Sequence, residues 1–157
     1  MTTLEQVADA LGPMTRRVAE LDLSDPDVAR QLEAAFPHVG LTELRALLVR
    51  ANEEGVLTPK RAAPTLTFGR IARPSEATAN LSIDAVDIQG VGAEHTHPRG
   101  EVSLCFALEG SPRFDGHPEG WVVLPPGSHH APTVRDGRML IVYFLPDGAV
   151  VWGPATA

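Results

Sequence analysis

The sequence predicts a mainly β fold, an antiparallel jelly-roll barrel preceded by a small α-helical N-terminal region. Two observations carry that expectation. Apolar residues recur at helical spacing through the first third of the chain, then give way to short alternating runs separated by Gly and Pro turns. Five of the six histidines fall between positions 95 and 130, in clusters that neighbouring strands can bring together. The division is expected near residue 60, with a helical region over 1–60 and a barrel over 61–157.

Taken in order, Thr3 and Gln6 form a capping pair ahead of Leu4, Val7, Ala8 and Leu11 at helical spacing. Gly12-Pro13 interrupts, and Met14, Val18 and Leu21 continue as a second short segment or a kinked extension. Ser24-Asp25-Pro26 reads as an N-cap with Pro at the first helical position, leading Val28, Leu32, Ala35 and Phe36 until Pro37 stops the helix. Leu41, Leu44, Leu47, Leu48 and Ala51 predict a further helix, with Gly55 placed to terminate it. Lys60–Pro64 is the seam. Strands are expected at 65–68, 81–88, 102–108, 121–124, 138–145 and 150–152. Asp136-Gly137 predicts a two-residue hairpin turn, and Asp147-Gly148 another turn.

Composition narrows the function classes. The 157 residues carry a net charge of −7, with ten acids and seven bases over 1–61 and ten acids and six bases over 62–157. Neither part has the basic stripe that phosphate-backbone binding requires, so nucleic acid is not an expected partner. No apolar run approaches a membrane span, and the start of the chain has neither the basic nor the apolar part of a secretory signal. A single cysteine, Cys105, excludes an internal disulfide and fits a reducing cytoplasm.

The chemistry concentrates in G-V-G-A-E-H-T-H-P-R-G-E, residues 90–101. On a strand His95 and His97 point to one face, and Glu101 can turn back toward it after Pro98-Arg99-Gly100. P-P-G-S-H-H at 125–130 adds a later imidazole, with His129 and His130 competing for one place. Two His, a carboxylate and a later His suit a first-row divalent metal with positions left open. Arg99 lies between the presumed ligands, either neutralising Glu94 or Glu101 or binding a substrate carboxylate. His38 and His117 read as surface residues, and Cys105 as a small buried hydrophobe.

These motifs resemble the cupin family. Its first motif falls on Gly90, His95, His97, Glu101 and Gly110, and its second on Gly120, Pro125, Gly127 and His130. The interval from Glu101 to Gly110 is longer than the family's, the one before His95 is shorter, and the final Asn is absent near Thr133 and Val134. The resemblance implies metal ligands His95, His97, Glu101 and His130, with His129 on the opposite face, and a homodimer. The helical first third joined to H-T-H-P-R-G-E-V and P-P-G-S-H-H is similar to the small bacterial 4-hydroxylaminobenzoate lyases.

That second resemblance implies a metal-dependent lyase turning 4-hydroxylaminobenzoate and water into 3,4-dihydroxybenzoate and ammonia. The conversion is redox-neutral, so no nicotinamide or flavin is expected, and none of their fingerprints appears. The expected cofactor is one divalent transition metal (Fe, Mn, Zn or Ni). Glu101 or Glu94 would move protons, and Arg99 would hold the carboxylate of a small anionic aromatic substrate. The rival expectations are a metal-dependent dioxygenase or isomerase of another small organic acid, and a non-catalytic ligand-sensing barrel.

Overall fold

In the computed structural model, which describes residues 1–155, helices occupy the first third. They are α1 (Leu4–Ala10), α2 (Gly12–Glu20), α3 (Val28–Ala35) and α4 (Thr42–Glu53). Nine strands follow: β1 (Lys60–Ala63), β2 (Leu66–Ala72), β3 (Leu81–Val91), β4 (His95–His97), β5 (Glu101–Phe114), β6 (Gly120–Leu124), β7 (Ser128–His130), β8 (Thr133–Pro146) and β9 (Val151–Trp152). A six-stranded antiparallel sheet runs β1-β2-β3-β8-β5-β6, and a three-stranded sheet runs β7-β4-β9. The fold is mainly β with small N-terminal helices. No described helix is long and apolar enough to cross a membrane.

The alternation of side chains across a pleated strand sorts the large sheet into two faces. On one face Ile71, Ile83, Ala85, Val102, Leu104, Leu140, Val142 and Phe144 pack with Val7, Leu11, Leu32 and Leu48 of the helices in a single core. On the other face Leu66, Phe68, Arg70, Asp84, Val86, Ile88, Ile141 and Tyr143 line a cavity. Both faces are therefore covered in the central sections of β5 and β8, which explains the nearly continuous apolar runs at 102–108 and 139–145. The helices approach closely: a Cβ on Gly69 would stand 2.3 Å from the Leu57 carbonyl oxygen. Only a residue without a side chain lets β2 and the segment after α4 meet there.

The expected caps hold at two places. Thr3 and Gln6 make a full capping box on α1. Gly55 takes a left-handed φ of +76° just beyond α4. Two expectations are corrected. Ser24 does not cap α3: its Oγ donates to Asp22 Oδ1 at 2.6 Å, the chain makes a turn through Asp25-Pro26, and the helix starts at Val28 behind Asp27. Asp136-Gly137 is not a hairpin turn. It lies inside the fourteen-residue strand β8, where Gly137 pairs with Gly110 and the register with β5 shifts. The chain here is a bulge so crowded that a Cβ on Gly137 would lie 2.0 Å from the Glu109 carbonyl oxygen. Local turn chemistry was satisfied by a bulge because a long partner strand continues past it.

Candidate active site

β4 and β7 pair antiparallel with His95 opposite His130 and Thr96 opposite His129. Residues directly opposite share a face, so this register puts His95, His97 and His130 on one side. Thr96 and His129 fall on the other, where Thr96 Oγ1 and His129 Nδ1 are 2.8 Å apart. The Nε2 atoms of the three histidines lie 3.0, 3.0 and 3.1 Å from one another. His95 Nδ1–H donates to the Ala93 carbonyl at 2.8 Å, and His130 Nδ1–H donates to Asp115 Oδ2 at 2.5 Å. Those bonds fix both rings in the tautomer whose Nε2 is a bare lone pair. Two lone pairs facing each other at 3.1 Å repel unless a cation sits between them. The donor set therefore fits a divalent transition metal.

Burial tunes the same groups. Desolvation, followed by the neighbouring His95 and His130 charges, brings His97 down to about 3. Desolvation also lowers His95. Both rings are thus neutral at pH 7, the form that ligates metal. Glu101 is 5% exposed, and burial raises its carboxyl to about 7. Its Oε2 lies 3.5 Å from His97 Nε2 and accepts from Ser103 Oγ at 3.3 Å. Glu101 is beside the triad but closest to His97, so the tight cluster itself comprises three histidines.

The histidines form one end of a cavity of about 390 Å³. Its walls are mostly apolar and aromatic, including Phe68, Phe114, Ile141 and Trp152, with Trp152 edge-on to His95 at 4.9 Å between centroids. Such a space suits an aromatic ring. Two expected site residues are not brought to it. Arg99 is exposed and pairs with Asp147 Oδ2 at 2.7 Å, because the turn after His97 swings it toward the β8–β9 loop. Glu94 is also exposed, 3.3 Å from His129 Nε2 on the far side of β4. Neither lines the cavity. His38 meets Glu33 through Nδ1 at 2.5 Å, away from the triad. Cys105 is fully buried, and burial raises its thiol, so it is the inert small hydrophobe expected.

The family model described as "PnbB: 4-hydroxylaminobenzoate lyase" matches residues 11–152. The chain belongs to that family. Among curated relatives, it is 33% identical over 96 residues to a 4-hydroxylaminobenzoate lyase of Nocardioides sp. (strain LMS-CY), covering 55% of this chain and 56% of the relative. It is 29% identical over 103 residues to a 4-hydroxylaminobenzoate lyase of Pseudomonas putida, covering 55% of this chain and 58% of that one. The matches thus span a little over half the length of either relative. Among solved structures, an RmlC-like cupin protein from Ralstonia eutropha is 12% identical with a TM-score of 0.46, over 62% of this chain and 66% of that one. DMSP lyase DddQ from Ruegeria pomeroyi is 20% identical with a TM-score of 0.46, over 70% and 66%.

Sequence reasoning missed four polar residues around this cavity: Arg70, Asp84 and Ser103 in its lining, and Asp115 behind His130. Asp115-Gly116 carried a turn signal that could have flagged it. Arg70 and Asp84 each interrupt an apolar alternation on the cavity-facing positions of β2 and β3.

Proposed function

We propose that this chain is a metal-dependent lyase converting 4-hydroxylaminobenzoate and water into 3,4-dihydroxybenzoate and ammonia. The observation that carries the reading is the convergence of three Nε2 atoms within 3.1 Å of one another at the end of an aromatic-lined cavity. Membership of the lyase family supports the substrate. His95, His97 and His130 are the ligands, and Glu101 is the oxygen donor within reach. A divalent Fe, Mn, Zn or Ni ion held there supplies Lewis acidity toward the hydroxylamino oxygen.

The chain's own residues do the rest. Ala93 and Asp115 hold the His95 and His130 rings in their ligating orientation. Glu101, raised to about 7 by burial, is suited to give a proton to the oxygen leaving nitrogen and to recover one from the incoming water. Ser103 steadies that carboxyl. Loss of the N–O bond leaves the ring electron-poor, and water adds at the carbon ortho to nitrogen. A second water then displaces the nitrogen as ammonia, while the oxygen lost from nitrogen departs as water, so one water is consumed overall. Phe68 and Phe114 give the ring an apolar surround. The proposal includes a reducing cytoplasmic setting, supported by the single buried cysteine, and a homodimer, which light scattering on the purified chain tests.

The deciding experiment incubates metal-replete protein with 4-hydroxylaminobenzoate and follows ammonia and 3,4-dihydroxybenzoate together. Stoichiometric release of both, lost with the metal in a His95→Ala/His97→Ala variant, is expected. No ammonia from metal-replete protein overturns the reading, and oxygen uptake in its place points to a dioxygenase.

A further inference from the structure

A row of polar residues crosses the cavity face of the six-stranded sheet. Ser103 of β5 stands opposite Tyr143 of β8, Tyr143 opposite Asp84 of β3, and Asp84 opposite Arg70 of β2. Glu101, two residues before Ser103, joins the row to the histidines. The row begins beside the metal ligands and ends at Arg70, three strand spacings away, on the order of 14 Å. Beside it, at the next cavity-facing position of each of β2, β3 and β8, runs an apolar row of Phe68, Val86 and Ile141.

Arg70 is the only cationic side chain in the cavity lining among the described residues. Its Nε donates to Asp84 Oδ1 at 2.9 Å, and Asp84 Oδ2 accepts from Ser82 Oγ at 2.9 Å. Asp84 is thus buried, held on both oxygens, and draws the guanidinium inward over β3. Nη1 and Nη2 make no hydrogen bond to any described residue. They leave one edge of a planar fork free, the geometry that takes a carboxylate through two parallel bonds. Arg99 lies outside the cavity, paired with Asp147, and Arg138 is engaged on all three nitrogens by Asp87 and Glu109.

We propose that Arg70, positioned by Asp84, binds the substrate's carboxylate and sets the requirement for a para-substituted benzoate. This assignment rests on the lyase reading above. A para-disubstituted ring laid along the row puts its hydroxylamino group at the histidines and its carboxylate under the Arg70 fork. The adjacent apolar row of Phe68, Val86 and Ile141 faces the ring. Asp84 keeps Nε occupied, so only the free edge is offered, and a neutral amide gains little from it.

The test measures binding of 4-hydroxybenzoate and of the uncharged 4-hydroxybenzamide by titration calorimetry on the full, metal-loaded chain. Wild type is expected to prefer the carboxylate. Arg70→Ala should weaken 4-hydroxybenzoate on the order of 10- to 100-fold, leaving the amide unchanged, and Arg70→Lys should fall between. Unchanged amide binding reports an intact cavity, which separates lost recognition from misfolding. An Arg70→Ala chain that keeps the full preference overturns the assignment, as does an Arg99→Ala chain that loses it. If wild type binds neither probe, the aromatic-acid reading fails first, and the anchor with it.

Discussion

Asp115 stands behind His130 of the three-histidine cluster, and its replacement by Asn tests whether it supports metal binding there. The carboxylate accepts His130 Nδ1–H at 2.5 Å and the Thr133 backbone N–H at 2.9 Å. Burial alone would raise its carboxyl, but the bonds from His130 and Thr133 outweigh burial and hold it below the ordinary value. It is therefore ionised at neutral pH. Its φ of +48° is a conformation Asn also tolerates, so Asp115→Asn removes the charge with little backbone strain. The neutral amide that replaces it is a weaker acceptor and holds the His130 ring less firmly. Metal affinity should drop roughly 10- to 100-fold, or about 1.4 to 2.7 kcal/mol. Competition against a graded series of chelators reads this directly, with His130→Ala as the reference for a lost ligand. If Asp115→Asn holds metal as tightly as wild type while His130→Ala does not, the positioning argument is wrong.

Three further outcomes are expected. Gly69→Ala forces a Cβ to within 2.3 Å of the Leu57 carbonyl, and should cost about 1–3 kcal/mol, seen as a thermal midpoint several degrees lower. Leu48→Ala, in a side chain with no exposed surface, should cost about 2–5 kcal/mol in urea unfolding; a loss under 1 kcal/mol would mean the helices are not part of the cooperative core. Asp87 supplies the pH dependence. Burial opposes its ionisation, yet the Arg138 and Asn52 hydrogen bonds outweigh that and hold it below 3.8. Its folded pKa is depressed, so its contribution is present at neutral pH and is lost as pH falls through the folded value. The melting-point difference between wild type and Asp87→Asn should narrow below about pH 4, and a constant gap would contradict the ion pair.

The triad was legible because it depends on period and spacing alone. His95 and His97 two apart, and His130 behind a turn, need only a strand pairing to converge, and the pairing His95↔His130 supplies it. The helical stripes were legible for the same reason. Arg99 is a neighbour of the histidines in sequence yet lies outside the cavity, because sequence proximity says nothing about the direction of a side chain after a turn. Arg70 was invisible because its relation to the site runs through three strand registers, a non-local fact with no local signature. Asp136-Gly137 misled because the same φ-permissive pair serves a turn or a bulge, and only the length of the partner strand decides.

The division of the large sheet into a helix-packed face and a cavity face makes assembly of the site a matter of counting. A one-residue slip of β2 against β3 would send Arg70 into the apolar core and bring Ile71 into the cavity. A like slip of β4 against β7 would exchange His130 for His129 and dismantle the cluster. Misregistered chains would thus lose core packing and chemistry together. The cavity can in turn be redrawn by exchanging every second residue, with the opposite face left to hold the protein folded.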